Sequence, residues 1–107
     1  MASSKASTIN LIKKYIARLK ENNISVEKVL LFGSYMKGTS REDSDIDIAV
    51  ISSTFKGDRY SDRRLIVPLR RGIDSRIDPI PFTPEDYAKG GMLIDEIKST
   101  GQEILGL

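Results

Sequence analysis

A chain of 107 residues, 39% hydrophobic and 30% charged, fits one ordinary globular domain, residues 1–107, with a real if thin core. It holds no cysteine and no histidine, which excludes disulfides, thiolate and imidazole metal ligands and the usual general base; any metal must sit among oxygens, as Mg²⁺ or Mn²⁺ does. The net charge of +2 is too small to imply nucleic-acid binding, and no leader pattern or membrane-length apolar run is present, so a cytoplasmic protein with no membrane partner is expected.

Ser7 or Thr8 is placed to cap a first helix. Within it Ile9, Ile12, Ile16 and Leu19 recur at helical spacing, with Asn22-Asn23 as the stop. The apolar run Val29-Leu30-Leu31-Phe32 predicts a buried strand, ended by Gly33-Ser34. A short helical turn is expected to follow through Lys37, then a polar loop from Gly38 to Ser44. Ile46, Ile48 and Val50 alternate with Asp45, Asp47 and Ala49, the pattern of a half-buried strand. Residues 53–73 carry the weakest pattern; a helix is predicted from Asp62 to Val67, with Pro68 disturbing its continuation. Ser75 to Pro81 predicts a third strand, and Pro79, which cannot donate to a ladder, puts that strand at an edge or gives it a bulge. Thr83 as N-cap, Pro84 in the first turn and Asp86 three residues after the cap start the next helix. Gly90-Gly91 interrupts it, and a second segment from Met92 to Ser99 stops near Gly101. Helices and strands in this alternation predict an α/β (α+β) fold, a small mixed sheet covered by helices.

The chemistry concentrates between residues 31 and 48. Side chains two apart on a strand share a face, so Asp45 and Asp47 project together. Two adjacent carboxylates repel each other unless a cation neutralises them. The alternative is a solvated strand end. Gly33 lets a backbone approach a ligand closely, and Ser34 with the following amides can bind a phosphate oxygen; the alternative is a turn glycine and a capping serine. A phosphate cradle closing one strand and a paired carboxylate opening the next is the uncommon combination.

The segment Gly33-Ser34-Tyr35-Met36-Lys37-Gly38 followed by Ser44-Asp45-Ile46-Asp47-Ile48 resembles the signature of the DNA polymerase β-like nucleotidyltransferases, and nearest the minimal nucleotidyltransferase (MNT) branch, over nearly the whole chain. The resemblance implies a palm-like fold. It places Asp45 and Asp47 as catalytic metal ligands with Asp78 as the third carboxylate, Asp74 being the competing candidate. Gly33, Ser34 and Lys37 would be nucleotide-binding. Two Mg²⁺ ions, with Mn²⁺ as a substitute, would serve transfer of a nucleoside monophosphate, AMP from ATP above other nucleoside triphosphates, to a hydroxyl. It also implies a HEPN-type helical partner in a toxin–antitoxin pair, in a hetero- or homo-oligomer, with an RNA end as the other acceptor. Two alternatives stand beside it: a binding module that neutralises its partner by contact alone, and a part of an aminoglycoside-type nucleotidyltransferase.

Lys56, Arg59, Arg63, Arg64, Arg70, Arg71 and Arg76 stand against Asp58, Asp62 and Asp74. This stretch reads either as a surface for triphosphate, RNA or an acidic partner, or as a solvated mixed-charge helix face. The lack of aromatic residues other than Tyr60 favours the second.

Overall fold

In the computed structural model, which describes residues 5–33 and 45–105, the first apolar stripe becomes helix α1 (Lys5–Glu21). Ile12, Ile16 and Leu19 are buried on it as expected, joined by Tyr15, whose hydroxyl donates 2.6 Å to the carbonyl of Ile66. Burial pushes the Tyr15 phenol well above its ordinary range.

Strand β1 (Lys28–Phe32) pairs antiparallel with β2 (Ile46–Ile51), and β2 pairs parallel with β3 (Ile77–Phe82). A fourth strand, β4 (Gln102–Leu105), adds antiparallel to the free side of β1, giving the order β3-β2-β1-β4. The small mixed sheet covered by helices is therefore the architecture found. β4 is the strand the sequence pattern did not announce. It is four residues long, and its backbone is ordered by β1 alone, with a register shift between Val29 and Leu30. Gly101 lets the chain return there; a Cβ at that position would stand 3.3 Å from the Leu31 carbonyl.

The β2–β3 connection differs most from expectation. Helix α2 runs Arg59–Ile66, starting earlier than predicted because Asp58 caps it, accepting from the Tyr60 amide. Pro68 then tightens the chain into a 3₁₀ turn, Val67–Arg70. Asp62 is buried and accepts from the amides of Lys56 and Gly57 at 3.0 and 3.1 Å, tying the connection to the helix it precedes. The third strand begins two residues later than predicted, since Asp74 makes a turn with the Arg76 amide first.

β3 is an edge strand, as Pro79 required. The Ile46 and Ser52 amides reach the carbonyls of Arg76 and Phe82 on its paired side. On the outer side, arginines take the place of a neighbouring strand: Arg70 donates 2.7 Å to the Ile77 carbonyl and Arg63 2.8 Å to that of Pro79. Prolines without N–H and carbonyls already occupied leave this edge a poor template for another strand.

Two cores result. One face of the sheet, with Val29, Leu31, Ile48 and Ile77, packs under α1 and Ile66. The other, with Leu30, Phe32, Ala49, Ile51 and Phe82, packs under Ile94 and Ile97 of α4 (Met92–Thr100). Between β3 and α4 lies the short helix α3 (Pro84–Lys89), with the Thr83 hydroxyl capping the Asp86 amide at 3.0 Å as read from the sequence. Among the described residues no helix is long and apolar enough to cross a membrane.

Candidate active site

β1 ends where β2 and β3 begin, and the chemistry-bearing residues of the three strands meet there. Phe32 is the register partner of Asp47, so Gly33 follows directly beside that carboxylate. Asp47 is in turn the register partner of Asp78 across the parallel pair. Asp45 precedes β2 and is exposed, whereas Asp47 and Asp78 are half-buried. Alternation along β2 puts Ile46 and Ile48 into the core under α1 and leaves Asp47 on the opposite face.

Gly33 has φ +79°, a conformation that favours glycine. A Cβ on it would overlap Asp47 Oδ2 and lie 3.1 Å from both Cβ and Cγ of that residue. The glycine is thus demanded by the carboxylate next to it, as well as by any ligand approaching the backbone. Ser34, Lys37 and the rest of that motif fall outside the described residues.

Electrostatics marks the same place. Burial, reinforced by the neighbouring Asp78 and Asp45 carboxylates, pushes Asp47 up to about 6. This crowding is what a cation would relieve, and an all-carboxylate donor set suits a hard divalent ion. Yet among the described residues no three acidic side chains converge closely enough to hold a metal as they stand. Asp78 is engaged elsewhere: Arg63 Nη1 donates 2.9 Å to its Oδ1. Asp74, the competing third carboxylate, lies in the turn before β3 and pairs with Arg76 at 2.6 Å, which holds its carboxyl below the usual range.

Arg63 is the residue of this site that the sequence did not single out. It stood there as one of seven cations in a mixed-charge stretch. Its partner lies 15 residues away and meets it only because α2 runs alongside the edge strand. Arg59, one turn earlier, reaches over the same edge to the Phe82 ring, 5.5 Å from its centroid.

Comparison with known proteins identifies the family and the fold. The family model described as Polymerase beta, Nucleotidyltransferase matches residues 13–106. The protein adenylyltransferase MntA of Shewanella oneidensis is 29% identical over 93 residues, 87% of this chain. The chain spans only 63% of that relative's length. A crystal structure of a Sulfolobus solfataricus protein, provisionally assigned as a nucleotidyltransferase, superposes with a TM-score of 0.65 at 17% identity, covering 96% of this chain and 89% of that one. A tri-AMPylated Shewanella oneidensis HEPN toxin in complex with its MNT antitoxin superposes with a TM-score of 0.56 at 21% identity, covering 94% and 73%.

Proposed function

The chain belongs to the polymerase β-type nucleotidyltransferase family, and on that premise we propose that it transfers AMP from ATP to a hydroxyl on a HEPN-type partner protein, as the antitoxin of a toxin–antitoxin pair. The observation that carries the reading is the juxtaposition of Asp47 with Asp78, flanked by Gly33 just after β1 and Asp45 before β2. The Shewanella relative's description as a protein adenylyltransferase, and the AMPylated toxin bound to an MNT antitoxin, support the choice of adenylyl group and of a protein acceptor.

In this reading Asp45, Asp47 and Asp78 would hold two Mg²⁺ ions, which would supply charge neutralisation on the triphosphate and a lowered pKa for the acceptor hydroxyl. The Gly33 backbone, with Ser34 and Lys37, takes the terminal phosphates. The acceptor oxygen forms its bond to the α-phosphorus as the bond to the bridging oxygen breaks, and pyrophosphate leaves on the opposite side. Asp78 receives the hydroxyl proton, since the chain has no histidine to do so. Gly33, just after β1, and Asp78, on β3, flank Asp47 from opposite sides, which supports this reading.

The engagement of Asp78 by Arg63 is the one observation that favours the second reading, neutralisation of a partner by contact alone. One experiment separates them. The protein is incubated with ATP, Mg²⁺ and a HEPN-type helical protein from the same source, and partner mass is measured. Mass gains of whole adenylyl groups, absent with Asp45→Asn, are expected. Tight binding without mass gain, and neutralisation that survives Asp45→Asn, would establish contact alone. Adenylylated RNA in place of modified protein would change the acceptor and leave the transferase standing.

A further inference from the structure

Arg63 is built into the site more firmly than a surface ion pair. Its Nη1 bridges a side chain and a main-chain oxygen, at 2.9 Å to Asp78 Oδ1 and 2.8 Å to the Pro79 carbonyl. That carbonyl belongs to the outer side of an edge strand and has no ladder partner, so the guanidinium keeps an anchor even when Asp78 moves. Both of these bonds run through Nη1, and the planar fork carries further donors of the kind that meet a phosphate. Both members of the pair are about one-third exposed, at 36% and 34%, within reach of ions from solution. Asp78, meanwhile, faces Asp47 across the strand pair, and the acidic side chains as they stand do not converge on one point.

We propose that Arg63 is a positioning residue that holds Asp78 as an internal counter-ion and keeps it from a divalent cation until nucleotide binds, so that the third carboxylate completes the metal site only in the nucleotide complex. The inference rests on the reading above, in which Asp45, Asp47 and Asp78 take the metal. A fixed positive charge next to a ligand oxygen opposes a second cation there. A bound triphosphate reverses the balance in two ways. It adds negative charge that attracts the cation, and it offers the guanidinium acceptors that fit its fork better than one carboxylate oxygen does. The site is thereby biased to assemble around metal–nucleotide rather than around metal alone.

The test is Mn²⁺ binding, followed through the resonance signal of the free ion, with and without a non-hydrolysable ATP analogue. Wild type should bind Mn²⁺ weakly alone and far more tightly with the analogue. Arg63→Met should bind Mn²⁺ alone roughly tenfold more tightly than wild type, because a like charge near a ligand is worth one or more decades. Arg63→Lys, which keeps the charge and loses the planar fork, should lie between the two. In an Asp78→Asn background, Arg63→Met should gain far less, since only the through-space repulsion is then removed. Analogue-free affinity that is unchanged or weaker in Arg63→Met, or a gain that persists in full without Asp78, would overturn the proposal. Thermal melts check folding, and Arg63→Lys carries the test should the methionine variant be unfolded. Asp47→Asn separates the two levels: lost Mn²⁺ binding in that variant upholds the site reading whatever Arg63 does, and undiminished binding removes both.

Discussion

The two faces of the sheet are covered to different extents. Under α1 the face is closed over its length: Val29, Leu31, Ile48 and Ile77 are fully buried, and the tyrosine hydroxyl that enters this core is satisfied by a backbone carbonyl. On the other face, among the described residues, Leu30, Ala49, Ile51 and Phe82 are buried under α4, whereas Asp47 and Asp78 are half-buried. The difference teaches how a thin domain accommodates charge. A carboxylate is costly to bury fully, so paired carboxylates are tolerated where the cover is thinner, and that end of the sheet is the candidate site.

The sharpest way to break that comparison is one substitution on each face of β2. Asp47→Asn should reduce AMP transfer on the order of a thousandfold, because a metal contact supplies several kcal/mol to the transition state. Its metal-free melting temperature near pH 7 should hold or rise, since a crowded carboxylate is removed. Ile48→Ala, one residue away on the closed face, should destabilise by about 2–5 kcal/mol. Its transfer rate per folded molecule should stay near wild type. Paired melts and partner-mass assays check both; exchanged outcomes would mean that the faces are not separate in function.

Gly33→Ala tests the seam between them. The backbone conformation alone should cost on the order of 1–3 kcal/mol. The new methyl group must also displace Asp47. Stability and metal–nucleotide affinity should therefore fall together, and melting combined with calorimetric titration measures each. A fall in stability with unchanged affinity per folded molecule would reduce Gly33 to a turn residue.

The smallest effect expected is in pH dependence. Asp47 lies at about 6 in the folded protein against 3.8 for an ordinary aspartate. Between those values the native state keeps a proton that the unfolded chain has released. The contribution of this group to stability is therefore full below about 4, declines as pH rises toward about 6, and is flat above. Asp74, held low by Arg76, contributes with the opposite slope at the acidic end. The decline should thus be read as the difference between metal-free wild type and Asp47→Asn in pH-dependent melts. An identical slope in both would show that Asp47 is not perturbed.

How much was legible beforehand follows the range of the interactions involved. The α1 stripe, β1 and the capped start at Thr83 are local patterns of spacing and hydrogen bonding, and each appears where its residues indicate; α1, however, begins at Lys5, ahead of Ser7 and Thr8, and β2 is buried on both faces except at Asp47, because α4 covers Ala49 and Ile51 as well. Residues 53–73 were obscure because their helix start depends on Asp58 and on the burial of Asp62 against two loop amides, contacts that carry no apolar period. β4 was invisible for a different reason: four residues form a strand only when a partner edge is present.

By itself, the sequence determined that Asp47 would lie on a strand next to a glycine turn, that oxygen would be the only side-chain ligand chemistry for a metal, and that the strand containing Pro79 would sit at an edge or carry a bulge. Periodicity, composition and a missing N–H are properties of the chain before it folds. Only the tertiary structure decided that Asp78 rather than Asp74 would face Asp47, and that Arg63 would grip it. Register across a parallel pair, and the reach of a helix lying along a sheet edge, exist only once segments distant in sequence have packed against one another.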